Sequence, residues 1–144
     1  MLISGVMAKQ KSNVLESSRG SNAHYKLDYQ VIWTTSGNAE ILTPNVEEEL
    51  HEIMREFAIT SGIMDVTVNV QLDNVHIKFS CNPSYTPSKL INSMKSVSSR
   101  MVFQRFPKLK DKLGGRLWAR AYILTTLGDY DLNSLINEAK SLSE

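Results

Sequence analysis

The triplet Asn74-Val75-His76 is where residue types and spacing come nearest to a reactive site. On a strand, residues two apart share a face, so Asn74 and His76 point together, away from the side that Val75, Ile77 and Phe79 turn toward a core. Two histidines so placed bind one divalent metal. An asparagine offers instead an amide oxygen, which suits hard cations and is a weaker ligand than imidazole for transition metals. Spacing alone favours a surface histidine beside a turn, because one histidine makes a poor metal site. The nucleophiles lack visible support. Cys81 alternates with the apolar side of its strand and reads as a packing thiol. Ser98-Ser99 has no histidine partner in sequence and reads as an ordinary polar helix face. Tyr122 and Tyr130 have no activating neighbour, and Gly114-Gly115 lacks the spacing of a phosphate-binding loop. Trp33 and Trp118 read as strand residues that pack, although Trp118, between Arg116 and Arg120, has the surroundings of a base-stacking platform.

Charge gives a second lead. The net charge of +1 over 144 residues hides two opposed segments. From Glu40 to Asp73 there are eight acids against Arg55 alone. From Thr86 to Arg120 nine bases (Lys89, Lys95, Arg100, Arg105, Lys108, Lys110, Lys112, Arg116 and Arg120) face only Asp111. A stretch this basic suggests a polyanion partner, provided its charges share a surface; the plain alternative is two solvated faces that attract each other across the fold. A single cysteine excludes a disulfide scaffold and a cysteine-based zinc site, and fits a reducing compartment. No apolar run approaches the roughly 18 residues of a membrane span, and Met1 to Val6 lacks the form of a signal peptide. A cytoplasmic, non-membrane protein is expected.

The elements that must position these residues can be read from periodicity. Residues 1–22 are rich in Ser, Lys and Asn and read as a flexible segment; 23–144 read as one domain. Tyr25 to Trp33 reads as a strand. Thr43-Pro44 opens a helix that carries Val46, Leu50, Ile53, Met54 and Phe57 on one face, with Gly62 as its stop. Met64 to Leu72 alternates as a half-buried strand, Asp73-Asn74 reads as a turn, and Val75 to Cys81 alternates again, giving a hairpin. Thr86-Pro87 opens a second helix ended by Pro107. Lys108 to Arg116 reads as a basic connection, Leu117 to Leu127 as the last strand, and Asp131 as the cap of a final helix. The order predicts an α+β fold: a ferredoxin-like βαββαβ antiparallel sheet with two helices on one face and a C-terminal helix added.

Taken in order, several segments resemble the small single-tyrosine HUH transposases of insertion sequences that move as single-stranded DNA, the IS200-like transposases. Tyr29-Gln30-Val31-Ile32-Trp33 resembles the family's first strand, usually Tyr-His-hydrophobe-hydrophobe-Trp. Asp73-Asn74-Val75-His76-Ile77 falls where the family has Asp-His-hydrophobe-His-hydrophobe. Ser88 to Ile91, Lys95 and Ser98-Ser99-Arg100 follow its second helix, Phe106 to Lys110 the exit from it, and Leu117 to Tyr122 with Thr126-Leu127-Gly128 its last strand. The resemblance implies a homodimer that recognises DNA hairpins in single strands. It implies a divalent metal (Mg or Mn) on two histidines and a third polar ligand, and a tyrosine on the C-terminal helix that attacks the phosphate. Metal would supply Lewis-acid assistance and tyrosine a covalent intermediate. Here the first histidine is Asn74, the tyrosine position is Glu138 and the third ligand position is Leu142. The basic loop after the first strand is replaced by Thr34 to Glu40.

Core-forming residues follow the family and chemical residues depart from it. The leading expectation is therefore a transposase-family protein that binds single-stranded or hairpin DNA without cutting it. Its contacts would come from Lys89, Lys95, Ser99, Arg100, Arg105, Lys108, Lys110, Arg116, Trp118 and Arg120. Asn74 and His76 would be vestiges of a metal site, with no cofactor. Two alternatives stand beside it. One is an active nickase with a displaced nucleophile, Tyr130, and a metal ligand from Asp129 or Glu138. The other is a dimeric protein-interaction module without nucleic-acid affinity.

Overall fold

The computed structural model describes residues 6–7, 27–128 and 130–142, with backbone alone for 6–7. The sheet is built round β2 (Leu27–Thr35), a strand rich in Tyr, Val, Ile and Trp and buried from Tyr29 onward. Next come α1 (Pro44–Ser61), β3 (Met64–Gln71) and β4 (Asn74–Cys81). The chain continues as α2 (Pro87–Arg105), the short α3 (Pro107–Lys112), β5 (Trp118–Thr126) and α4 (Leu132–Ser141). The four long strands stand in the order β5-β2-β4-β3 and pair antiparallel throughout. Of the segment read as flexible, Val6–Met7 forms a two-residue strand, β1, parallel to Ile123 and Leu124 of β5. The rest of that segment, and Tyr25, lie outside the described residues.

Alternation assigns the two faces of the sheet. Val31, Trp33, Val75, Ile77, Phe79, Tyr122 and Leu124 join Leu50, Ile53 and Met54 of α1 and Ile91, Met94 and Val102 of α2 in the main core. Ile32 and Ile123 point the other way, onto Leu135, Ile136 and Ala139 of α4. The helices α1 and α2 thus cover one face and α4 the opposite one. β3 is the edge strand, and its Val66, Val68 and Val70 are only half-buried.

Three local readings change. The β3–β4 hairpin turns on Leu72-Asp73, since Gln71 pairs with Asn74, so Asn74 belongs to the strand. Part of the basic connection is helical: Pro107 suits a first helical position and opens α3 directly after the break at Phe106. Thr43 and Thr86 stand at the N-caps without side-chain cap bonds, whereas Asp131 accepts from the Asn133 amide.

Gly62 ends α1 in the left-handed region at φ 74°, and a Cβ there would lie 2.8 Å from Tyr85 Oη. The exposed tyrosine can swing aside, so the backbone term dominates. Gly62→Ala is expected to lower stability by about 1 kcal/mol, measured by urea unfolding.

Candidate nucleic-acid interface and the polar sheet face

Half of the proposed nucleic-acid contacts meet at one place. Lys95, Ser99, Arg116, Trp118 and Arg120 line a cleft of about 290 Å³ between α2 and the start of β5, with Ser96 and Gly115 completing its rim. Arg116 and Arg120 are exposed. Lys89, Ser96 and Arg100 recur at helical spacing and extend the same side of α2 as an exposed stripe. Arginine side chains and serine hydroxyls are the donors that phosphate oxygens accept from.

Two of those residues do different work from that expected. Trp118 is 5% exposed, and its Nε1 donates to Ser98 Oγ at 2.9 Å. Its ring meets Trp33 edge to face, centroids 5.7 Å apart. It is wedged into the core and presents no face to a base. Lys95 is half-buried, and its Nζ donates to the carbonyls of Ala119 at 2.7 Å and Arg120 at 3.1 Å. The ammonium stands 5.5 Å from the Tyr122 ring centroid and 6.0 Å from that of Trp33. It fastens α2 to β5 instead of reaching a phosphate. Desolvation pushes its pKa down to about 8. Ser98, read as ordinary polar face, is fully buried and also donates to Lys95 O. Only the helical spacing of Met94 and Ser98 with buried Ile91 and Val102 places this side of α2 inward; the charge of Lys95 gives no such signal.

The other cations lie elsewhere. Arg105 pairs with Glu49 Oε2 at 3.3 Å, so part of the basic charge is spent on α1. Arg105, Lys108 and Lys112 border a second cavity, of about 490 Å³, floored by Ile41, Val46, Phe106 and Leu109. Lys110 is exposed on α3.

The triplet that opened the chemical reading is not at the surface. His76 is 4% exposed and Asn74 1%. They share the sheet face that α4 occupies, as the strand alternation requires. His76 Nε2 lies 2.8 Å from Gln30 Oε1. With the Gln30 amide oxygen facing the ring, Nε2 is the donor and Nδ1 is left buried without a partner. Burial, aided by the charge of Lys78, lowers the pKa of His76 and keeps the ring neutral. Asn74 Nδ2 donates to Asp73 Oδ1 at 2.7 Å and to Gln71 Oε1 at 3.1 Å. Asp73 Oδ2 in turn meets Lys140 Nζ of α4 at 3.0 Å. Leu142 packs half-buried against the Ile32 and Ile123 cluster, and Tyr130 packs there too. Glu138 is exposed, on the opposite flank of Ala139 from Lys140. Asp129 lies outside the described residues.

A divalent ion on this face would need several lone pairs aimed at one point. Here Nδ1 of His76 offers one buried, unpartnered lone pair, but Nε2 faces Gln30, the Asn74 amide nitrogen is a donor, and both oxygens of Asp73 are engaged, so no second ligand joins it. Among the described residues no three of His, Cys, Asp and Glu gather into a possible metal site. The residues present do not fit the metal that the resemblance implies.

The element order and the antiparallel sheet with helices on both faces define an α+β class. The chain belongs to the transposase IS200-like family, whose profile matches residues 23–137. A curated relative, the ISDra2 transposase TnpA of Deinococcus radiodurans, is 32% identical over 116 residues, which is 80% of this chain and 83% of that protein. The crystal structure of a protein assigned as a transposase from Deinococcus radiodurans R1 superposes with a TM-score of 0.78 at 28% identity, covering 88% of this chain and 98% of that one.

Two titrations test the buried groups. A histidine whose folded pKa is lowered contributes stability above its unfolded value and loses it as pH falls through the folded one. Stability is therefore expected to decline below about pH 6.5, the ordinary histidine value, and to decline less in His76→Gln, both followed by urea unfolding. For Lys95 the unfolded chain keeps its proton up to 10.5 and the folded one only to about 8. Between those values the unfolded state binds more protons, so wild type gains stability relative to Lys95→Met as pH rises across that window.

Proposed function

We propose that this protein binds single-stranded or hairpin DNA through phosphate contacts and does not cut it. The observation that carries the reading is the cleft where Arg116, Arg120 and Ser99 converge, continued by Lys89 and Arg100 along α2. Phosphate binding needs charge and position but no metal. With Trp118 buried, the cleft reads the backbone and not stacked bases. Strand cleavage is lost because the tyrosine position holds Glu138, the third ligand position holds Leu142, and the donors round His76 are engaged with one another. No divalent metal or other cofactor takes part. Among the described residues no helix is long and apolar enough to cross a membrane, and the protein acts in the cytoplasm. It works as a homodimer; the outer edge of β3, at the end of the sheet, is available for pairing.

Fluorescence anisotropy with hairpin, unstructured single-stranded and duplex DNA, at two salt concentrations with and without Mn²⁺, tests this. Hairpin or single-strand binding that falls with salt and ignores Mn²⁺ is expected. Replacing Arg116 and Arg120 together by alanine removes two phosphate contacts. It is expected to weaken binding and to flatten the plot of log K against log salt by about 1.4 for a single strand. No binding at low salt would favour a protein-interaction module, and Mn²⁺-dependent nicking abolished by Tyr130→Phe would favour an active enzyme.

A further inference from the structure

The Asp73–Lys140 pair lies beside the position where a metal is expected by resemblance. Four polar groups form one chain: Gln71 Oε1 accepts from Asn74 Nδ2, Asn74 Nδ2 also donates to Asp73 Oδ1, and Asp73 Oδ2 receives the Lys140 ammonium at 3.0 Å. Asp73 and Asn74 are buried, so the carboxylate needs a cation close by. Lys140 stands in the last turn of α4, where the helix dipole favours positive charge. Its backbone is held as well, since Asn38 Nδ2 donates to Lys140 O at 3.2 Å. Asp73 is fixed from the other side, because its carbonyl accepts the Thr35 amide at 3.0 Å. Both partners are thus anchored through their main chains before their side chains meet.

We propose that the Lys140 ammonium is the built-in cation of this site: it supplies the positive charge that the Asp73 carboxylate requires and bars a divalent ion from the face next to Asn74. A divalent ion takes carboxylate oxygens at roughly 2.0–2.6 Å. An ion that used Asp73 would have to displace the ammonium, and one seated at position 74 would face that ammonium across a single carboxylate. Restoring a histidine at position 74 therefore does not by itself restore a metal site while Lys140 is present. The inference rests on the reading that the protein works without metal, but not on DNA binding.

Two measurements on the full chain test it. The first is Mn²⁺ binding, read by electron paramagnetic resonance of free Mn²⁺, for wild type, Asn74→His, and Asn74→His with Lys140→Met. Wild type is expected to bind none, and the double variant to bind at least tenfold more tightly than Asn74→His alone. Equal behaviour of the two variants, including no binding by either, overturns the proposal. Mn²⁺ binding by wild type overturns it together with the metal-free reading. The second measurement is thermal unfolding of Lys140→Met and Lys140→Arg. Lys140→Met is expected to melt about 3–6 °C below wild type, with Lys140→Arg recovering most of the loss because it keeps the charge. A Lys140→Met melting point equal to wild type overturns the proposal. A failure to bind DNA in the anisotropy experiment leaves all of these outcomes as they stand.

Discussion

Strand β2 is hydrogen-bonded along both edges and buried on both faces, and that constraint organises the rest of the molecule. Val31, Ile32 and Trp33 are wholly inaccessible, so each face of the strand needs a cover. On one side the cover is generous: Val31 and Trp33 meet α1 and α2 over a large apolar core. On the other side Gln30, Ile32 and Thr34 alternate, and only Ile32 is apolar. The seam that seats α4 is accordingly small, centred on Ile32, Ile123, Leu135, Ile136 and Ala139. At roughly 25 cal/mol per Å², so few side chains give α4 much less than α1 or α2 receive. Polar ties complete its attachment, namely Asn38 to the Lys140 carbonyl and Lys140 to Asp73.

That asymmetry explains how much was legible in the sequence. The helices and strands with strong periodicity stand where they were read, because α1, α2, β3 and β4 each place apolar residues at their own spacing. Gly62 and Asp131 marked a helix end and start through local backbone chemistry that needs no tertiary information. What could not be read was the depth of polar residues. His76 was expected at the surface beside a turn, because one histidine makes a poor metal site. Instead it is buried and faces a glutamine 46 residues upstream, on the sheet face that α4 occupies over the neighbouring strands. Likewise Lys95 and Trp118 belong to a basic segment by composition but to a packed seam by geometry. Charge counted along the chain does not distinguish a lysine that reaches outward from one that turns inward onto two carbonyls.

The same contrast separates the two candidate sites. The cleft between α2 and β5 is open and lined by groups that act at a distance, so it tolerates imprecise placement. The face beneath α4 is closed: Asn74, Asp73 and Lys140 satisfy one another there, while Thr34 Oγ1 and His76 Nδ1 are buried without partners. The family fold is present in full, and on the α4 side of its sheet Asn74 and His76 are buried and hydrogen-bonded.

Both tryptophans of the chain lie in the seam that Lys95 closes. Trp33 and Trp118 touch one another edge to face, Ser98 holds one indole nitrogen, and the ammonium stands near the Trp33 ring. The tryptophan emission of the protein therefore arises from a single enclosed spot between α2 and β5. Its colour and intensity report how tightly that helix sits on that strand. A molecule lodged in the adjoining cleft becomes visible by its own effect on this junction, with no dye attached.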